Sequence, residues 1–321
     1  MAYNVRNTRK PTPGRIVTPT IDHSPPNGPI PAPAMVEMQN LTRCYGDTTA
    51  LDRLNWSAAH GVNVIAGPNG AGKSTLLRIL ATLDLPDEGT LNILAQDPAT
   101  AAGRTAIRQR LGYVPQDLAV TPTMRADRYL DHFARLKGIH DQASRAAAVE
   151  RSLDAVGLLA VWNKRIFKLS GGMQRRLMFA QALLADNTAL YVLDEPFVGL
   201  DPQIKSLVVQ RIADLGREAT VIVSTHQLDD IAQIATNVTV LVDGVVAFQG
   251  TTQELARVAR DHVWTTPSRR DGAIATWRLP DGRHRQLLRT PPEPGAQRGT
   301  PTPEEGYLWL LRDESGTPQA L

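Results

Sequence analysis

The sequence predicts an α/β layered domain, and three observations carry that prediction. From Met35 onward, strand-sized apolar runs alternate with stretches of helical period. A glycine-rich segment, GPNGAGKST at 67–75, joins one such run, VNVIA, to an apolar helix, LLRILATL. The 321 residues are 42% hydrophobic and 21% charged, which allows a sizeable core.

Residues 1–34 read as a disordered Pro-rich arm. SPPNGPIPAPA and RNTRKPTPGR have no period that could bury a face. A solvated tail is the plain expectation, and contact of its basic end with acidic lipid headgroups or a partner is the alternative. Basic residues near the N-terminus have no apolar run behind them, so a secretory leader is not expected. No run approaches the roughly 18 apolar residues of a spanning helix, so any work at a membrane is expected to go through a partner. Cys44 is the only cysteine, which rules out an internal disulfide. A net charge of +3 is small for this length and says little for nucleic acid, where a concentrated basic face would be expected.

The main domain is expected over 35–256. Its strand candidates are Val62–Ala66, Ala189–Leu193, Thr220–Val223, Val238–Val242 and Val245–Phe248, the last two joined by an Asp243-Gly244 turn. Helical faces are read from three sets: Met173, Leu177, Ala180 and Leu184; Leu130, Phe133 and Leu136; Ala146, Val149, Leu153 and Val156. The pattern weakens beyond about Ala256. Residues 257–321 are expected to form a small α+β accessory domain of short strands, with a closing helix capped by Thr302 and begun by Pro303.

Four stretches carry chemistry. Gly67, Pro68, Asn69, Gly70, Ala71, Gly72, Lys73, Ser74 and Thr75 match a phosphate loop. Its glycines let backbone N–H groups wrap an anion, and the following helix start adds partial positive charge. Lys73 is expected on the β- and γ-phosphates, Ser74 on Mg²⁺, and Thr75 on a phosphate. The apolar run ALYVL ends in Asp194 and Glu195. Carboxylates at a buried strand end are costly unless a cation meets them. Asp194 is expected to orient Mg²⁺ and Glu195 to act as general base on the attacking water. His226, at the end of VIVSTH, is a candidate for the γ-phosphate, although a histidine there alone is more often structural. Gln116, in LGYVPQD, can offer an oxygen to Mg²⁺ and an amide to water.

Together these stretches resemble the ATP-binding subunit of ABC transporters over about residues 36–256. RCYGDTTALD, GPNGAGKST, VPQD, LSGGMQRR, YVLDEP, GLDP and STH follow one another in the family's order, LSGG being the most specific. The resemblance implies a P-loop NTPase fold with a RecA-like core, an antiparallel β subdomain and a helical subdomain. It makes Tyr45 the candidate that stacks on adenine.

A helix beginning at Ser170 offers free N–H groups to an anion, in its own chain or in another. The family implies the second: two such domains sit head to tail, and Ser170, Gly171 and Gly172 complete the partner's ATP site. Asp201 then links the two sites. Arg175 and Arg176 are expected as helix-surface charges. Phe197 and Val198 depart from the smaller residues common after LDEP, which is expected to affect interface packing.

More loosely, VVAFQGTTQELARVARDHVW and PTPEEGYLWLL resemble the tail of ATPases that pair with ABC-2-type membrane subunits exporting drugs, antibiotics or lantibiotic-like peptides. The expectation is therefore a cytoplasmic ATPase, peripheral on the inner face of the membrane, binding ATP and Mg²⁺. Its partners would be a second ATP-binding subunit, as a homodimer, and a separate polytopic membrane subunit. The alternatives are an importer ATPase, or a soluble ABC-type ATPase acting on nucleic acid or the ribosome. The first class often pairs with a binding protein. The second usually carries long coiled coils or a second phosphate loop, and neither is present.

Overall fold

The computed structural model describes residues 35–116, 122–292 and 295–312. The Pro-rich arm expected over 1–34 lies outside the described residues.

The described chain opens with an antiparallel pair, β1 (Val36–Tyr45) and β2 (Thr48–Ala58), turning at residues 46–47. Next come β3 (Gly61–Ala66), α1 (Lys73–Leu80), β4 (Glu88–Ile93), α2 (Ala101–Gln109) and β5 (Leu111–Val114). Helices α3 (Ala126–Leu136), α4 (Gln142–Asp154) and α5 (Gly171–Ala182) follow, with no strand between them among the described residues. Alternation then resumes with β6 (Leu190–Asp194), α6 (Pro202–Gly216), β7 (Thr220–Thr225), β8 (Asn237–Val242), β9 (Val245–Gly250) and α7 (Thr252–Arg257).

A six-stranded sheet has the order β5-β6-β7-β3-β8-β9, parallel except for β9. Strands β3, β6 and β7 are buried along their whole length. This explains why they read as continuous apolar runs with no alternation. The β8–β9 hairpin turns at Asp243 and Gly244, with φ of 48° and 78°, the left-handed pair of a type I′ turn. Its turn is also structural glue: Gly244 donates to Ala71 O and accepts from Asp52 N. A second sheet, β2-β1-β4, covers one face. Trp56 Nε1 donates to Thr239 Oγ1 at 2.8 Å, fastening that sheet to β8.

Helices α3, α4 and α5 enclose a core of their own around Leu130, Leu153, Leu177 and Leu184. Two predicted faces there need correction. Leu136 is 60% exposed, because as the last residue of α3 it passes the edge of the core. Ala146 is exposed as well. In α4 Val149 and Leu153 are buried as predicted, but the stripe starts at Arg145 rather than Ala146, with Arg145 held in a 2.8 Å ion pair with Asp131.

Residues beyond α7 form a third sheet, β11-β12-β10-β13, from β10 (Val263–Thr266), β11 (Ala275–Arg278), β12 (His284–Leu287) and β13 (Gln297–Arg298). Helix α8 (Pro303–Leu310) closes the described chain, with Thr302 as its cap and Glu305 completing a capping box. Tyr307 and Leu311 join the buried cluster that lines the large sheet.

Candidate nucleotide site

The strand order brings the chemistry together. Strands β5, β6, β7 and β3 run parallel, so their C-terminal ends share one edge, where ligands of open α/β sheets bind. Gln116 follows β5, Asp194 and Glu195 end β6, His226 follows β7, and the 67–75 loop follows β3. Register completes the alignment: Asp194 lies opposite Ser224, and Ala66 opposite Thr225.

The loop is shaped by what it touches. Gly72 has φ 97°, and a Cβ there would sit 2.5 Å from Ala50 O and 2.8 Å from Leu51 Cδ2. Only glycine meets both conditions. Lys73 is 7% exposed, and its Nζ donates to Gly67 O at 2.7 Å and Pro68 O at 3.0 Å. Burial lowers its pKa, and the nearby Glu195 and Asp194 carboxylates oppose that shift. The lysine therefore senses both acids across the strand ends.

Asp194 is 3% exposed and Glu195 8%. One buried hydroxyl serves both: Ser224 Oγ donates to Asp194 Oδ1 at 2.6 Å and accepts from Glu195 N at 2.9 Å. Asp194 Oδ2 accepts no hydrogen bond among the described residues. Glu195 has φ 47°, a left-handed conformation that is strained for glutamate and typical of functional sites. Its carboxylate oxygens both lie 3.0 Å from His226 Nδ1. An acceptor pair on one ring nitrogen implies a protonated Nδ1.

The expectation for the two arginines of α5 is overturned. Arg175 is half-buried, and its guanidinium donates to Glu195 O and to Gln116 O, the latter at 3.2 Å. Arg176 donates to Val156 O at 3.1 Å. Both tie α5 into the fold, and Arg175 grips the backbone of two candidate site residues. Ser224 and Arg175 are the residues that sequence reasoning missed as site members. A serine two positions before the histidine was visible, but only the β6–β7 register gives it a partner.

Tyr45 stands at the tip of the β1–β2 hairpin, 44% exposed. Its O–H donates to Asp84 Oδ2 at 2.6 Å, and Arg43 lies over the ring at 4.7 Å while also binding Asp84 and Asp87. The aromatic ring is held in place rather than loose.

Ser170, Gly171, Gly172 and Asp201 are not brought to this cluster. Ser170 caps α5, accepting from Met173 N at 3.3 Å, and added Cβ atoms at Gly171 and Gly172 would meet nothing within 4 Å. Asp201 caps α6, accepting from Ile204 N at 3.0 Å. Among the described residues, no hydrogen bond or ion pair joins them to the phosphate loop, Asp194, Glu195 or His226.

The ABC transporter family profile matches residues 51–198. A daunorubicin resistance ATP-binding protein of Streptomyces coeruleorubidus is 35% identical over 226 residues, covering 70% of each chain. The chain belongs to the ABC transporter family. A Nod factor export ATP-binding protein of Burkholderia orbicola is 37% identical over 213 residues, 66% of this chain and 69% of its own. Among solved structures, an ATP-binding subunit of an ABC transporter superposes with TM-score 0.63 at 25% identity, covering 70% of this chain and 92% of its own. A dimeric ATP-binding cassette in a post-hydrolysis state with ADP and Pi superposes with TM-score 0.62 at 28% identity, covering 68% and 98%. This ABC cassette is an ATP-binding, ATP-hydrolysing domain, and no described helix is long and apolar enough to cross a membrane.

Proposed function

We propose that the chain is the ATPase subunit of an exporter for a drug, antibiotic or peptide, working through a separate polytopic membrane subunit at the inner face of the membrane. The drug-resistance and export names of its relatives support the direction of transport. No feature of the chain favours import, nucleic acid or the ribosome.

One observation carries the chemical part: Lys73, Asp194, Glu195 and His226 converge on one sheet edge. The phosphate loop binds ATP through its N–H groups and Lys73. Ser74, Gln116 and Asp194 would hold Mg²⁺. A hydroxyl, an amide and a carboxylate are hard oxygen donors, and the Asp194 oxygen left without a hydrogen bond fits that demand. When bound, the ion would neutralise charge on the β- and γ-phosphates. Glu195 accepts the proton of the attacking water as its oxygen bonds to the γ-phosphorus and ADP leaves. His226, held by Glu195, faces the γ-phosphate. Tyr45 stacks on adenine.

The Ser170 helix start and Asp201 have no partner in their own chain's site. This supports two copies closing head to tail, each capping the other's ATP, as the dimeric form of a related cassette suggests. The pro-rich arm over 1–34, the ATP-binding domain over 35–256 and the accessory segment from 257 remain our division of the chain.

Glu195→Gln should retain ATP binding and slow turnover by about 10²-fold or more, the usual scale of a lost general base. Near-wild-type turnover would remove Glu195 from that role. Ser170→Arg should abolish hydrolysis while leaving ATP binding by the single chain intact. Loss of binding in the monomer would defeat the two-chain site.

A further inference from the structure

The C-terminal helix touches the catalytic edge from behind. Helix α8 packs on a short 3₁₀ turn, Leu228–Asp230, which begins two residues after His226. Glu304 faces Asp229 of that turn closely enough for the two carboxyls to push the Glu304 carboxyl up. Tyr307 is 3% exposed and shares a buried cluster with Phe197, two residues past Glu195, and with Leu228. Its phenol also feels the charge of Glu195. The hydroxyl has no hydrogen-bond partner among the described residues, so the ring, not the O–H, makes the useful contact.

The helix is itself fixed hard. Glu305 is 2% exposed and takes both arms of Arg285, at 2.6 and 2.8 Å. A Cβ on Gly306 would lie 1.9 Å from Leu255 O, so α8 sits against α7 as closely as a backbone allows. Lys205 of α6 also pairs with Asp230 of this turn. The turn after His226 is thus gripped by two helices, and only one of them belongs to the ATP-binding domain proper.

We propose that α8, through Tyr307 and Glu304, positions the loop carrying His226 and thereby sets the rate of the hydrolytic step. The accessory segment is then part of the ATPase and not an appendage to it. The proposal rests on the reading of Glu195 and His226 as the hydrolytic pair. Tyr307 and Glu304 touch no substrate; they are positioning residues. Their loss should lower kcat and spare ATP affinity, because the phosphate loop and Tyr45 lie on other elements.

The test uses the full chain, with kcat and KM from steady-state hydrolysis and Kd from ATP titration. Tyr307→Ala should lower kcat by about tenfold with Kd changed by less than about twofold, the split expected for a misplaced catalytic group. Tyr307→Phe, which keeps the ring, should restore kcat. Glu304→Ala is at a half-buried position and decides the matter if Tyr307→Ala does not fold; it too should lower kcat and leave Kd alone. Wild-type kcat in both alanine variants overturns the proposal. So does a parallel loss of kcat and ATP-binding capacity, which marks a general loss of folded protein. A wild-type chain without ATPase activity, or a Glu195→Gln variant as active as wild type, would instead defeat the hydrolytic reading.

Discussion

Ser224→Ala isolates the clamp that holds the two acids. Ser224 is fully buried and makes two hydrogen bonds, to Asp194 Oδ1 at 2.6 Å and from Glu195 N at 2.9 Å. Losing a hydrogen bond to a charged group costs about 1.5–3 kcal/mol, and leaving a buried N–H unsatisfied costs about 1–3 kcal/mol. Local relaxation recovers part of the sum, so the net loss is about 3 kcal/mol. For a chain of this size that lowers Tm by roughly 4–5 °C. The kinetic effect is separable. Glu195 is held at φ 47° by this contact and by Arg175. Without the serine, its strained backbone can relax and move the carboxylate away from His226. Turnover should fall by about tenfold or more, while ATP affinity, set by the loop and Tyr45, should hold. The assays are thermal unfolding, ATP titration and phosphate release. A Tm within about 2 °C of wild type together with unchanged turnover would refute the clamp.

Three further outcomes are expected. Tyr45→Ala should weaken ATP binding by about 10-fold, the scale of one base–aromatic stack, as measured by fluorescence titration. Gly72→Ala should abolish ATP binding and destabilise the fold by more than ~1 kcal/mol in a urea melt, since it meets both a positive φ and the carbonyl of Ala50. Glu304→Gln tests a pH dependence. Burial first, then the neighbouring Asp229 carboxyl and the charge of Glu305, push the Glu304 carboxyl from 4.5 up to about 7. The folded chain therefore holds more protons than the unfolded one between those values, so wild type loses stability as pH rises through that window. Discounted for solvent screening of a half-exposed group, the loss is about 1 kcal/mol. Glu304→Gln should melt roughly 1–2 °C above wild type at pH 8 and level with it near pH 4.5; equal melting at both would show that the carboxyl pair carries no repulsion.

The legibility of the site followed chain locality. GPNGAGKST is one continuous piece, and its glycines, lysine and hydroxyls act within a single turn, so the pattern could be read directly. Buried parallel strands β3, β6 and β7 showed as apolar runs because both faces are covered. The cap at Thr302 was legible for the same reason, since a capping box spans four residues. The faces of α3 and α4 were less so. Periodicity cannot see that Arg145 is buried by Asp131, a pair across two helices.

By itself, the sequence determined the α/β alternation, the phosphate loop, the acids at a strand end and the membership that these motifs imply. All are local patterns, fixed by which residues stand next to one another along the chain. Tertiary structure alone decided that Ser224 joins Asp194 to Glu195, that Arg175 reaches back to Glu195, and that a tyrosine more than 100 residues downstream lies behind the catalytic edge. Such contacts depend on strand register and helix packing, which no short window of sequence contains.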